Sequence, residues 1–195
     1  YHIRESGANP AEEMAYAFAI AKVYIDLVLK RGLAIDEFAY RLSFNFNIFG
    51  QLFEQVCKFR AGRRLWAKIV KEDYGATDPR SMWLRMIAGG GVRGAYYALI
   101  SALSGAQTVA LCCYDEAYTI PSEYAQRVSL RTMQILIEEM GLTETVDPLA
   151  GSYYVETMTN EMEREIARIM ADVERRGGIV SMIASGELQA HVSRE

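Results

Sequence analysis

The sequence predicts an α/β fold built on parallel strands, and three observations predict it. Arg41-Leu42-Ser43-Phe44-Asn45-Phe46-Asn47 alternates polar and apolar side chains, the period of a strand wet on one face and covered on the other. Thr108 to Cys113 is a short continuous apolar run, the pattern of a strand buried on both faces. Long helical stretches separate these runs, and strands alternating with helices imply parallel pairing through right-handed crossovers.

In chain order, Tyr1-His2 reads as the end of a strand. Asn9-Pro10 opens a helix: asparagine caps well, proline suits the first helical position, and Glu12 and Glu13 complement the positive end of the dipole. Met14, Phe18, Val23, Leu27 and Val28 carry its apolar side, and Gly32 closes it. Residues 33–40 form a short connection with room for a helical turn, ahead of the alternating strand. A second helix runs from about Phe49 to Tyr74 on Phe53, Val56, Phe59, Leu65, Trp66 and Ile69, and stops at Gly75. After the Asp78-Pro79 break, Met82 to Ile87 reads as a strand. Gly89-Gly90-Gly91 leads into a helix from about Arg93 to Ser104, and the 108–113 strand follows. Pro121-Ser122-Glu123 starts a helix that ends at Gly141, and Thr143 to Val155 is a long loop with turn signals at Asp147-Pro148 and Gly151. Asn160 and Glu163 suit the start of a helix. Its stripe of Met162, Ile166, Ile169, Met170 and Val173 is stopped by Gly177-Gly178, and a last amphipathic helix spans about Ile179 to His191.

Four strands in this order make about half of an eight-stranded (β/α) barrel, or a small open doubly wound sheet. In both architectures ligands meet the carboxyl ends of the strands. His2, the polar side of residues 41–47, the triple glycine and Asp115-Glu116 fall at or near such ends. A guanidinium, a hydroxyl and two amides along one strand suit an anionic, oxygen-rich ligand.

The 195 residues are 51% hydrophobic with a net charge of −4, ordinary for a globular domain with one core. A mildly acidic chain lacks the electrostatic footprint of a nucleic-acid binder. The basic cluster Lys58-Phe59-Arg60-Ala61-Gly62-Arg63-Arg64 falls in a helical pattern and is expected to be a solvated helix face. No apolar run reaches the about 18 residues of a membrane helix. The opening residues do not form a signal peptide and read as the interior of a longer chain. Cys57, Cys112 and Cys113 give neither a disulfide framework nor zinc-binding spacing, which favours a reducing, cytoplasmic setting. Cys112 and Cys113 read as small core residues.

Several motifs then converge. Tyr1-His2-Ile3-Arg4-Glu5-Ser6-Gly7-Ala8, Arg41-Leu42-Ser43-Phe44, Lys58-Phe59-Arg60-Ala61-Gly62-Arg63-Arg64-Leu65-Trp66 and Asp115-Glu116-Ala117 with Ile120-Pro121 occur in order. With Thr145-Val146-Asp147-Pro148-Leu149-Ala150-Gly151-Ser152-Tyr153-Tyr154-Val155-Glu156, this set closely resembles the acyl-CoA-binding part of methylmalonyl-CoA mutases and related acyl-CoA mutases. The resemblance covers essentially the whole chain. It implies the C-terminal half of a (β/α)8 TIM-type barrel over residues 1–195, with trailing helices and no cobalamin-binding domain. It implies coenzyme A threaded along the barrel axis and a radical 1,2-rearrangement of an acyl-CoA thioester that depends on adenosylcobalamin (coenzyme B12). The cobalt comes with that cofactor, so no protein metal site is expected. Implied partners are a cobalamin-binding domain or subunit, the other half of the barrel and a second copy in a dimer.

By the same resemblance, His2 hydrogen-bonds the thioester carbonyl, where a positioned donor is typically worth about 10²–10⁴ in rate. Arg41 and Ser43 bind the coenzyme A portion, and Tyr1 packs against the substrate near the reacting centre. Glu116 contacts the adenosyl and cobalamin side, Thr119 lies at a second cobalamin-contacting position, and Gly91 lets the backbone approach the corrin. His191 matches no motif and is expected to be structural.

The chain departs from the family pattern in three ways. Ile87 and Gly89 stand where many members carry His and Gln. Gly91 runs straight into Val92-Arg93-Gly94, so a rim segment of roughly a dozen residues is missing by comparison with that pattern, and loops of this kind carry function. The barrel half that reads the acyl group is absent, which leaves edge strands unpaired. These departures predict a fragment that is inactive alone. They also keep open a non-catalytic remnant or interaction module that pairs with a mutase-like partner, and an open α/β binding domain with no affinity for coenzyme A.

Overall fold

The computed structural model describes residues 1–90 and 94–193. Its centre is a three-stranded parallel sheet in the order β1 (Ser43–Asn47), β2 (Arg85–Gly90), β3 (Thr108–Leu111). In register, Ser43 faces Arg85, Asn45 faces Ile87 and Asn47 faces Gly89, while Ile87 faces Thr108 and Gly89 faces Ala110. Strand order therefore follows chain order. Among the described residues there are three strands rather than four, because residues 2–5 close into a helical turn, α1 (His2–Glu5). The main-chain nitrogen of Tyr1 still reaches the β1 edge and donates to the carbonyl of Asn45 at 2.7 Å.

Helices cover one face of the sheet. α2 (Pro10–Leu29) starts on a full capping box: the Asn9 side chain accepts from the Glu12 N–H at 3.0 Å, and the Glu12 carboxylate accepts from the Asn9 N–H at 2.9 Å. A short turn, α3 (Ile35–Phe38), fills the connection before β1. α4 (Leu52–Lys68) crosses α2 where Gly62 meets Met14; a Cβ there would lie 2.7 Å from the Met14 methyl, so a larger residue would have to push that flexible side chain aside. The core at this junction is aromatic. Phe44 stacks on Phe46 and meets Phe18 and Trp66 edge-on, each pair worth about 0.5–1.5 kcal/mol beyond its area burial.

The rest of the chain follows as α5 (Gly94–Leu103), α6 (Glu123–Glu138), α7 (Tyr153–Arg175), α8 (Ile179–Ala184) and α9 (Glu187–Val192). α7 lies across α2 and α4 and buries Val155, Ile166, Ile169 and Val173. Only Ala125 of α6 is buried, while Tyr124, Val128, Leu130, Ile135 and Ile137 are exposed.

Several expectations need correction. Arg41 lies outside β1, because the Leu42 N–H closes a 3-10 turn on the Ala39 carbonyl and the pleat begins only at Ser43. β3 is not covered on both faces: Thr108 and Ala110 are exposed. β2 begins at Arg85, after a 3-10 turn over Pro79–Met82. Asn160 and Glu163 lie inside α7, which is capped earlier by the Ser152 hydroxyl accepting from the Val155 N–H. The last helix is two short ones, divided at Gly186 in a left-handed conformation (φ 76°). Gly91 falls outside the described residues.

Candidate functional site

The pleat gives the sheet two unlike faces. Phe46, Met86 and Ala88 turn toward the helices and are buried. Ser43, Asn45, Arg85, Thr108 and Ala110 turn the other way and are exposed. At the carboxyl end of this open face lies a cavity of about 360 Å³. Asn45, Asn47, Gly89, Gly90 and Ala110 make its floor, and Tyr1, Glu5, Cys112 and Glu116 stand around it. Small side chains on β2 and β3 leave room above the sheet, and the two asparagines supply donors and acceptors.

The two ends of the open face carry opposite charge. Glu5 and Glu116 border the cavity, and Glu5 accepts from the Asn47 amide at 3.3 Å. Burial pushes the Cys112 thiol above its ordinary value, and the Glu116 and Glu5 carboxylates push the same way. At the amino end, Arg41 and Arg85 are exposed around Tyr40, with Arg80 beside them.

The structure thus gathers some expected residues and separates others. Tyr1 and Glu116 share the cavity. His2 adjoins it, its ring 4.0 Å from the Tyr1 ring between centroids, exposed at the start of α1. Ser43 is on the same open face but at its other end. Arg41 stacks on Tyr40, its Nε donating to the phenol oxygen at 3.0 Å. Thr119 is exposed in the turn after β3, its N–H donating to the Asp115 carbonyl at 3.1 Å. His191 pairs with Glu12 at 2.7 Å and ties α9 to the start of α2.

A pair of residues outside the expected set fixes the cavity floor. Lys58 and Glu13 form an ion pair at 2.8 Å with side chains 0% and 1% exposed. Glu13 also accepts the Asn47 N–H at 2.8 Å, and Lys58 donates to the Asn47 carbonyl at 2.6 Å. Both backbone groups of the last β1 residue are therefore held by charged groups in the interior. Burial pulls the Lys58 ammonium below the usual lysine range, against the attraction of Glu13.

The basic cluster is likewise no solvated face. Arg60 forks onto Asp147 at 3.0 Å and reaches Glu156 at 2.7 Å and the Thr159 hydroxyl at 2.8 Å. Arg63 is partly buried and donates to the Ser104 carbonyl, and Arg64 pairs with Glu163. The available signal was the spacing: at about 100° per residue Lys58 falls roughly 120° or more around the helix from Arg60, Arg63 and Arg64, so the four cannot share one solvated face.

No group of three His, Cys, Asp or Glu side chains among the described residues is placed to hold a metal ion. No helix among them is long and apolar enough to cross a membrane.

Comparison with known proteins gives one consistent result. The family model for methylmalonyl-CoA mutase matches residues 1–195. The 2-hydroxyisobutanoyl-CoA mutase large subunit of Aquincola tertiaricarbonis is 43% identical over 206 residues, covering 99% of this chain and 37% of the relative. That stretch is longer than the chain, so the relative carries positions within it that this chain lacks. Methylmalonyl-CoA mutases of Cereibacter sphaeroides and Escherichia coli are 39% and 36% identical over 199 residues, covering 95% of this chain and 28% of each relative. The chain therefore spans roughly a third of the length of the curated relatives it matches.

Proposed function

The chain belongs to the methylmalonyl-CoA mutase family, and from that premise we propose that it is the acyl-CoA-binding barrel portion of an adenosylcobalamin-dependent acyl-CoA mutase. The observation that carries this reading is the polarity of the open sheet face, cationic at one end and carboxylate-rich at the other, with polar and small residues between. Strands following one another in chain order, with helices on one face, favour a half barrel over a doubly wound sheet, whose strand order reverses at a switch point.

In this assignment the substrate lies along the open face. Arg41 and Ser43 take the phosphate-bearing end of coenzyme A. The thioester reaches the cavity, where His2 donates a hydrogen bond to its carbonyl oxygen and stabilises charge that grows there as the group migrates. Tyr1 packs beside the reacting carbons and keeps water away.

The residues at the rim fit the cofactor. Carboxylates of Glu5 and Glu116 suit the hydroxyls of an adenosyl ribose, and Gly89 and Ala110 leave space for a flat ring. Glu116 would hold the adenosyl side, with Thr119 and Gly91 near the corrin. When bound, adenosylcobalamin supplies the radical that takes a hydrogen from the substrate and returns it after the rearrangement. The exposed apolar residues of α6 offer surface for the rest of the barrel, and a cobalamin-binding domain or subunit and a dimer partner complete the assembly.

The test is coenzyme A binding with and without Arg41→Ala, which should cost on the order of 1.5–3 kcal/mol. Equal affinity in both removes Arg41 from the site. Residues 1–195 alone, given adenosylcobalamin and acyl-CoA, should show no turnover; turnover would refute the fragment assignment.

A further inference from the structure

Tyr40 gathers two guanidiniums that have no carboxylate partner among the described residues. Arg41 donates its Nε–H to the Tyr40 phenol oxygen at 3.0 Å and lies over the ring at 5.2 Å. Arg85 donates to the Tyr40 main-chain carbonyl at 3.1 Å. Arg80 lies over the same ring at 5.9 Å, but its charge is answered by Asp78 at 2.8 Å. Arg85 is also the in-register partner of Ser43, so guanidinium and hydroxyl share one level of the open face. Both Arg41 and Arg85 are exposed. Like charges held together on one scaffold repel each other, and a ligand carrying several negative charges relieves that repulsion.

We propose that Arg85 is a second phosphate-binding residue of this site, and that Tyr40 is the positioning residue that presents Arg41 and Arg85 as a pair to the adenosine-phosphate end of coenzyme A. This rests on the coenzyme A assignment above. Arg41 is aimed through the Tyr40 phenol and Arg85 through the Tyr40 main chain, so the two can be separated by mutation. Tyr40→Phe removes the acceptor for Arg41 and keeps both the ring and the carbonyl. Arg85→Gln removes the charge and keeps a polar side chain of lesser reach.

The experiment is calorimetric binding of coenzyme A, 3′-dephospho-coenzyme A and pantetheine to the full protein that carries this chain. Arg85→Gln is expected to weaken coenzyme A by about tenfold and leave pantetheine unchanged. Arg85→Lys keeps the charge and recovers part of that loss. Tyr40→Phe weakens coenzyme A several-fold, again without effect on pantetheine, and adds nothing to Arg41→Ala because it acts through Arg41. An Arg85→Gln protein that binds coenzyme A as the wild type does overturns the assignment of Arg85. Equal weakening for coenzyme A and pantetheine also overturns it, because that outcome is loss of fold. A wild type that does not distinguish coenzyme A from pantetheine instead removes the coenzyme A assignment itself.

Discussion

Glu13 and Lys58 meet at 2.8 Å in the interior and between them hold both backbone groups of Asn47, the residue that ends β1 under the cavity. Neither group has water to fall back on. Lys58→Met leaves a buried carboxylate without its partner and should cost about 3–5 kcal/mol in urea unfolding. Glu13→Leu combined with Lys58→Met removes both charges. The pair itself is then nearly neutral, but the Asn47 N–H and carbonyl lose their partners, at about 1–3 kcal/mol each. The double variant should therefore be no more stable than Lys58→Met by more than a small margin. A double variant as stable as the wild type would show that the clamp on Asn47 contributes nothing.

Asp36 predicts an acid-sensitive turn. Its carboxylate accepts from the Thr77 N–H at 3.0 Å, the Thr77 hydroxyl at 2.8 Å and the Asp78 N–H at 3.3 Å. The Thr77 N–H is the largest of the causes that lower its pKa from 3.8 to about 2. The native state thus binds this proton less tightly than the unfolded chain does. The stabilisation is complete above pH 3.8 and is lost as the pH falls toward 2. Urea midpoints between those limits should fall more steeply for the wild type than for Asp36→Asn, which does not titrate. Parallel curves would exclude Asp36 as a source of the acid limb.

The sequence made some of this legible and hid the rest for physical reasons. The α2 cap was readable because Asn9, Pro10 and Glu12 act within one turn, and Ser43 to Asn47 was readable because a pleat writes its period into neighbouring residues. Arg41 was drawn into that strand because the alternation continues through it, while the turn that removes it depends on a backbone bond between Ala39 and Leu42. The Lys58 and Arg60 contacts were hidden because their partners stand 45 and 87 residues away, and no local pattern reports that distance. His2 and Glu116 were placed near strand ends from the order of elements alone; Glu116 lines the cavity, and His2 stands beside it against Tyr1. Tyr40 carried no pattern at all; what singles it out is that Arg41, Arg80 and Arg85 converge on it in space.

Arg60 predicts how the 141–152 loop is fastened. It binds Asp147 through two nitrogens and also reaches Glu156, whose carboxyl it holds below the usual range, helped by the Gly151 N–H. Asp147 has φ 51°, a conformation that asparagine also tolerates. Asp147→Asn therefore isolates the charge from the backbone effect and should cost about 1–2 kcal/mol, since the Asp147 carboxylate is partly exposed. Asp147→Ala should cost more, because it adds backbone strain. Thermal melting ranks the two, and limited proteolysis should cut within 141–152 faster in both. Equal losses in the two variants would mean that the left-handed backbone matters little.

Gly90 predicts where the rim of the sheet has no tolerance. A Cβ on Gly90 would lie 2.6 Å from a ring carbon of Tyr97 on α5 and 2.9 Å from the carbonyl of Ile48, both on the buried side. Neither neighbour can yield cheaply, since Tyr97 is 3% exposed and Ile48 is fully buried. Gly90→Ala should thus destabilise by about 1–3 kcal/mol through overpacking. A Cβ on Gly89 meets the Ala110 carbonyl at 3.0 Å and its methyl at 3.2 Å, on the open side of the sheet, where β3 lies at the edge with Ala110 exposed and needs to give by only a few tenths of an ångström. Gly89→Ala should therefore spare stability and act instead on the cavity, narrowing its floor beside Asn47. The two variants make a paired measurement: urea unfolding should single out Gly90→Ala, and ligand affinity should single out Gly89→Ala. The opposite ranking would place the close packing on the wrong side of β2.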